Sequence, residues 1–204
     1  EEALIVNDPA YRRRLMLSML TEEPDAYLAQ LQAAKLNDDV EVAHYAATAV
    51  AQISKESDLK LQQLERAFKT DPSAQNLNEY CDFLGEYLGS GLAEGRVAQI
   101  QRQQYARLLA RRCEREDTLE LRIRYATALA DVGQIDEAQA VTDQLVLDVP
   151  EEQEVWMLCL RLAVMRRDGD EVHRVIDAID KQHVYLSADN REKLAFWRDG
   201  EEAR

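Results

Sequence analysis

The residues of this chain that most often ligate metals or act as nucleophiles are widely separated in the sequence. They form no HxxxH, HExxH or CxxC pair: His44, His173, His183, Cys81, Cys113 and Cys159. A zinc site needs several such ligands at short, characteristic spacings. We therefore expect no metal and no cofactor, and we expect reduced thiols rather than a disulfide framework.

Two of these residues have ordinary structural roles open to them. His44 lies in an alanine-rich helical segment and is expected to pack in a core or an interface. Cys159 lies between Leu158 and Leu160 and is expected to be buried. A Cys/His nucleophile pair stays open, because its two members need not be neighbours in the sequence.

The acidic pairs and the glycines also have structural explanations. Asp38-Asp39 and Glu151-Glu152 precede helical patterns, where negative charge is favourable at the helix N-terminus. The four glycines in 85–95 lack a GxGxxG motif or a P-loop lysine, so they indicate a loop or a mobile helix junction rather than a phosphate site. We expect the chain not to be an enzyme.

A basic stretch interrupts an acidic chain. Residues 96–115 hold six arginines and one glutamate, a charge of +5, whereas the whole chain carries -14, which leaves -19 elsewhere. Arg107, Arg111 and Arg115 are spaced by four residues and are predicted to share one helical face. This strip either neutralises acidic helices of the same chain or docks an acidic partner; contact with a cyclic dinucleotide or a lipid headgroup is a further alternative.

The elements that position these residues are predicted to be helices. Only 7 glycines and 4 prolines occur, and 46% of the residues are apolar, which disfavours a turn-rich β-sandwich and a disordered chain. The excess of acid opposes nucleic-acid binding. The longest uncharged stretch, Val42 to Ser54, has 13 residues and is shorter than the roughly 20 that span a bilayer.

Caps and the 3.6-residue apolar period predict where each helix lies. A first helix follows Asp8-Pro9, a second follows Pro24 and ends at Asn37 with Leu36 in its apolar stripe, and a third begins after Asp39. The third reaches Asp71 either as one long helix or as two with a bend at 54–57. The later helices are predicted at 77–88, 97–113, 119–132, 135–147, 155–165 and 172–179, with a last one that starts at Ser187.

The C-terminal half has a 34-residue period. Its apolar, glycine and proline positions resemble a tetratricopeptide repeat (TPR) over 119–152, and the pattern continues over 153–186: Tyr125, Leu129, Gly133, Ala138, Leu145, Pro150, Trp156 and Leu160. The resemblance implies an all-α fold, a right-handed α-solenoid of TPR-like helix pairs with a C-terminal capping helix at 187–204.

In such repeats the first helix of each pair lines a concave groove. The groove positions that the resemblance implies are Glu120, Ile123, Thr127, Ala130, Asp131, Glu154, Met157, Arg161, Val164 and Met165. Their mixture of apolar and charged groups suits an amphipathic helix of a protein partner. The alternative is that Met157 and Met165 fill gaps in the core.

A narrower resemblance covers the N-terminal half. The segments VEVAHYAATAV, LERAF..DP, FLGEYL.SGL.EG and RQQY are similar to the soluble part of PelE-type proteins. The resemblance implies HEAT-like helices at 1–58, a long helix and a degenerate TPR with a Gly-rich insertion at 59–118, and two TPR-like repeats at 119–186. It also implies a membrane tether before residue 1 and a cytoplasmic position at the inner face of the bacterial membrane.

The function expected from these patterns is a non-catalytic scaffold. The PelE-type resemblance implies a role in the Pel exopolysaccharide synthesis and export complex that builds biofilm, with a PelD-type cyclic-di-GMP receptor subunit as the partner. A soluble TPR adaptor or chaperone that binds client peptides in its concave groove is the alternative. An enzyme with a divergent helical fold would require polar groups that converge in one pocket.

Overall fold

A computed structural model describes residues 27–199, and this part of the chain consists of helices and loops with no strand. The helices are α1 Leu28–Ala34, α2 Val40–Thr70, α3 Ala74–Gly89, α4 Gly95–Cys113, α5 Leu119–Asp131, α6 Ile135–Asp148, α7 Gln153–Arg166, α8 Gly169–Lys181 and α9 Ala188–Asp199. The prediction of an all-α fold is confirmed for the described residues. The helix predicted after Asp8-Pro9 and the start predicted after Pro24 lie outside them.

The chain divides into two compact units, Glu1–Ala98 and Gln99–Arg204. In the first unit α2 is one continuous helix. Of the two predicted alternatives, one long helix is therefore confirmed and two helices with a bend at 54–57 are wrong. Serine disfavours a helix interior only weakly, and neighbours from α3 support this stretch. The Tyr87 hydroxyl donates to the Asp58 carboxylate at 2.8 Å, and Lys60 lies 4.3 Å from the centre of the Phe83 ring.

Several local predictions in the first unit are wrong. Leu36 lies past the end of α1 with 90% of its surface exposed, because the helix ends at Ala34 rather than Asn37. Gly85 and Gly89 belong to α3, and the loop covers only residues 90–94. The buried side chains of Leu84 and Tyr87 hold this stretch helical, since their burial outweighs the roughly 1 kcal/mol that a helical glycine costs.

The second unit contains two helix pairs, α5 with α6 and α7 with α8, whose starts correspond at a shift of 34 residues. Leu119 and Gln153 begin the first helices of the pairs, and Ile135 and Gly169 begin the second helices. The pairs bury two apolar clusters, one with Leu145 and Leu162 fully buried at its centre, and one around Ile179 and Trp156. Their helices therefore recur with the period found in the sequence.

The turns inside the two pairs also correspond. Gly133 (φ +79°) and Arg167 (φ +57°) are both left-handed and lie 34 residues apart. Gly133 N–H donates to Ala130 O at 3.0 Å, and Arg167 N–H donates to Val164 O at 2.9 Å, the same bond displaced by one period. A second matched bond ends each first helix, from Gln134 and from Asp168. These bonds form the Schellman motif that satisfies the last carbonyls of a helix.

Helix α9 follows the second pair. Ser187 caps it as predicted, because its Oγ accepts the N–H of Asn190 at 3.2 Å. The side chain of Gln153, at the start of α7, accepts the N–H of Ser187 at 2.8 Å. Leu194 is buried in the cluster around Ile179, so α9 covers part of the second pair.

Candidate functional site

Eight of the residues predicted to line a groove fall on one face of each first helix. At about 100° per residue, the four on α5 lie within roughly 80° of one another, and the four on α7 repeat this arrangement 34 residues later. We call this surface the first-helix face, and its residues are Glu120, Ile123, Thr127, Asp131, Glu154, Met157, Arg161 and Met165.

The structure joins the two halves of the first-helix face through one ion pair. Arg161 of α7 donates from Nη2 to Oδ1 of Asp131 in α5. Both side chains remain about two-fifths exposed, at 43% and 39%. The helices α5 and α7 also contact each other directly. The two groups were both predicted as partner contacts, yet each satisfies the charge of the other.

The remaining residues of the first-helix face form matched rows. Glu120 and Glu154 are both exposed in the first turns of their helices, and Ile123 and Met157 are both half-buried one turn further on. Arg124 approaches Glu120 only to 3.9 Å. With three carboxylates against one arginine, the face has a formal charge of -2 and an apolar row beside its acidic edge.

The two methionines have different environments. Met157 is half-buried and packs against the cluster that contains Trp156 and Leu160, so it fills part of the core. Met165 is 39% exposed at the other end of α7. Of the other two predicted positions, Ala130 is buried and Val164 is half-buried. Of these two methionines, Met165 is therefore the one whose side chain is more accessible to a partner.

The predicted basic strip is shorter than its spacing indicated. Arg107 and Arg111 are exposed on α4, but the helix ends at Cys113, so Arg115 lies in the following turn and does not share their face. Arg112 is buried. The strip is therefore reduced to two arginines one turn apart.

A cleft of about 370 Å³ lies beside Arg107, between α4 and the start of α6. We call it the Arg107 cleft. Its polar lining comes from Gln103, Arg107, Tyr125, Gln134 and Glu137, and its apolar floor includes Leu129. On α5 the lining residues Tyr125 and Leu129 lie on the side opposite the first-helix face. Sequence reasoning placed only Arg107 among candidate contacts.

Tyr125 is half-buried in this cleft and keeps its proton. Burial raises the pKa of its hydroxyl above the ordinary value, and the Cys113 thiol and the Glu137 and Glu114 carboxylates raise that pKa further. Since a charged phenolate is disfavoured here, the hydroxyl is available as a hydrogen-bond donor at neutral pH.

A second cleft of about 330 Å³ lies between α6 and α8 over α7. We call it the Cys159 cleft. Cys159 and Glu171 in its lining stand 34 residues after Tyr125 and Glu137 of the Arg107 cleft. Cys159 is buried as predicted, and this burial raises the pKa of its thiol to about 12. The thiol is accordingly unreactive at neutral pH.

The other titratable candidates do not converge on a site. His44 is exposed, so of its two predicted roles the core one is wrong and the interface one stays a prediction; its ring lies 6.2 Å from that of Tyr45. Within residues 27–199, no group of three or more His, Cys, Asp or Glu residues is placed to hold a metal ion. None of the helices in that range is long and apolar enough to cross a membrane.

Comparisons with known proteins identify no relative of this chain. No family model, no curated protein and no solved structure matches the chain.

Proposed function

We propose that this chain is a non-catalytic protein-interaction scaffold whose helix pairs stack as a right-handed, TPR-like solenoid. The observation that carries the proposal is the contact of α5 with α7 through Asp131 and Arg161, on the face that bears the matched residue rows. Helix pairs that bury their apolar sides against neighbouring pairs leave an extended surface, and proteins with this architecture use that surface to bind other polypeptides.

The partner chemistry follows from the first-helix face. An acidic row, Glu120 and Glu154, runs beside a half-buried apolar row, Ile123 and Met157. An amphipathic helix with apolar side chains on one stripe and Lys or Arg along its edge complements both rows. The partner segment that we propose is therefore a basic amphipathic helix.

We further propose, from the sequence resemblance, that the partner is a PelD-type cyclic-di-GMP receptor subunit. In this proposal the chain is the cytoplasmic repeat domain of a membrane-anchored subunit of the Pel exopolysaccharide machinery. The segments that support it are VEVAHYAATAV and FLGEYL.SGL.EG, in α2 and around the 90–94 loop.

The test is isothermal titration of this chain with the purified cytoplasmic part of a PelD-type subunit. Replacing Glu120 and Glu154 together by lysine is expected to weaken binding by at least about tenfold, since two favourable cross-interface charge pairs become repulsive. The control is Asp177→Lys, which places a lysine on the exposed side of α8 away from the first-helix face.

Two results would contradict parts of the proposal. The double variant changes the net charge by +4 and Asp177→Lys changes it by +2. If Asp177→Lys weakens binding by half as much in free energy as the double variant, net charge alone matters, and the first-helix face would lose its role. No binding of the PelD-type subunit, together with weak binding of many unrelated amphipathic peptides, would favour the adaptor or chaperone alternative.

A further inference from the structure

The Arg107 cleft combines two opposite charges that the fold leaves without an ion pair. Within the described part of the chain, neither the Arg107 guanidinium nor the Glu137 carboxylate forms a salt bridge, although both line the same cleft and are exposed. The position three residues after Glu137 is Ala140, so α6 provides no basic side chain to pair with it.

The Cys159 cleft shows how an acidic group at the matched position is satisfied in the second helix pair. Its Glu171 pairs with Arg174, three residues later, at 2.7 Å. Its Asp143 accepts a hydrogen bond from Gln139 at 2.7 Å. Both acidic groups of that cleft therefore have partners on their own helices, whereas the matched Glu137 has none.

The uncharged lining of the Arg107 cleft is suited to a peptide backbone. Gln103 and Gln134 carry primary amides, which can donate to a peptide carbonyl and accept from a peptide N–H. Gln134 precedes α6 without capping it by its side chain, so its amide is not used by the helix. Only an extended segment offers such backbone groups, because a helix satisfies them internally.

The size of the cleft limits what it can take. About 370 Å³ is near the lower end of the roughly 300–1,000 Å³ of ligand sites, and the floor of Ala106, Ala110, Leu129 and Val132 is apolar. One apolar side chain with its flanking residues fills such a space.

From these features we infer that the Arg107 cleft binds an extended segment of a partner polypeptide that carries an apolar side chain between one acidic and one basic residue. The acidic residue pairs with Arg107 and the basic residue with Glu137. The site is separate from the first-helix face and does not depend on the PelD-type partner.

The test uses five short, unstructured, fluorescein-labelled peptides with a central leucine. They differ only at the two positions on either side of this leucine, which hold Glu and Lys, Lys and Glu, two Glu, two Lys, or two Gln. Fluorescence anisotropy measures the affinity of each peptide for the wild-type chain. One of the two mixed-charge peptides is expected to bind about tenfold more tightly than the two-Gln peptide. The affinity of this mixed-charge peptide should fall at high salt.

Variants then reverse the preference. Glu137→Arg is expected to make the two-Glu peptide the best ligand, and Arg107→Glu to make the two-Lys peptide the best ligand. Both residues are exposed, so both variants should fold; Glu137→Arg places a positive charge in the first turn of α6 and should lower the melting temperature slightly. Glu171→Ala in the Cys159 cleft, and the double lysine variant of the first-helix face, serve as controls and should leave peptide affinity unchanged.

The inference is overturned if no peptide binds, if all five bind equally, or if the two charge variants keep the wild-type order of preference. None of these outcomes changes the result expected from the titration with the PelD-type subunit, because that titration tests binding at the first-helix face. No binding of the PelD-type subunit with the peptide preferences intact would refute the PelD-type partner and leave the Arg107 cleft as a binding site.

Discussion

Asp131 and Arg161 form an ion pair between α5 and α7, the first helices of successive pairs. The pair links residues 30 positions apart and lies on the face that we propose for partner binding. A partner that contacts this face must dock beside the pair or exchange one of its members for a group of its own.

We expect the Asp131–Arg161 pair to stabilise the packing of the two helix pairs by only a small amount. Both side chains are about two-fifths exposed, so a double-mutant cycle with Asp131→Asn and Arg161→Gln should give a coupling of about 0.2–1 kcal/mol that falls at high salt. Urea unfolding measures it. The matched control is Asp136–Arg166, in which Asp136 is 95% exposed, and no measurable coupling is expected there.

The left-handed turns give a second prediction. Arg167 adopts φ +57° where the first pair has Gly133, so Arg167→Gly should stabilise the chain by about 1 kcal/mol in chemical denaturation. Arg167→Ala retains the Cβ and should give no such gain. Gly133→Ala should cost about 1 kcal/mol, although its Cβ would meet no atom within 4 Å, because the cost lies in the backbone. Equal effects of the two Arg167 variants would contradict this explanation.

The buried thiol of Cys159 predicts a loss of stability in alkali. Its pKa rises from 9.0 to about 12 through burial, so above pH 9 the unfolded chain loses this proton while the folded chain keeps it. The contribution is complete below pH 9 and is lost progressively as the pH rises toward 12. Urea unfolding across pH 8 to 11 should show this decline in the free energy of unfolding. In Cys159→Ala the free energy of unfolding should fall less steeply with pH, measured relative to the value of the same variant at pH 8. An unchanged slope would show that the decline has other origins, such as Tyr87, whose pKa is also raised to about 12.

The terminal helix α9 should stabilise the second pair through Leu194. This side chain is only 2% exposed, and Leu194→Ala is expected to cost about 2–5 kcal/mol. Phe196, on the same helix and 71% exposed, is the control, and Phe196→Ala should cost less than about 1 kcal/mol.

Removal of residues 187–204 tests the same helix as a whole. It uncovers the apolar cluster around Ile179 and Leu186, so we expect aggregation by light scattering or a large fall in melting temperature. An unchanged melting temperature would refute the capping role.

Local signals explain why the helices of the second unit could be predicted within one to three residues. Thr118 and Asp168 cap α5 and α8 through their own side chains, and Gly133 ends α5 with a left-handed turn. Each of these effects depends on a few neighbouring residues, so the amino-acid sequence alone indicates it.

One wrong prediction depends on a partner distant in the sequence, and another depends on where a helix ends. Gly85 is helical because α3 packs against α2, and Arg115 leaves the predicted strip because α4 stops at Cys113. For the candidate site, the sequence correctly indicated which residues share the first-helix face. It gave no sign that Asp131 and Arg161 pair, or that Tyr125 and Glu137 join Arg107 in one cleft.

By itself, the sequence determined the helical character of residues 27–199 and the 34-residue period, because caps, turns and apolar spacing act over a few residues. Only the tertiary structure decided which charges on different helices pair with each other, as Asp131 and Arg161 illustrate. The physical reason is that an ion pair depends on the distance between two side chains, and packing between helices sets that distance.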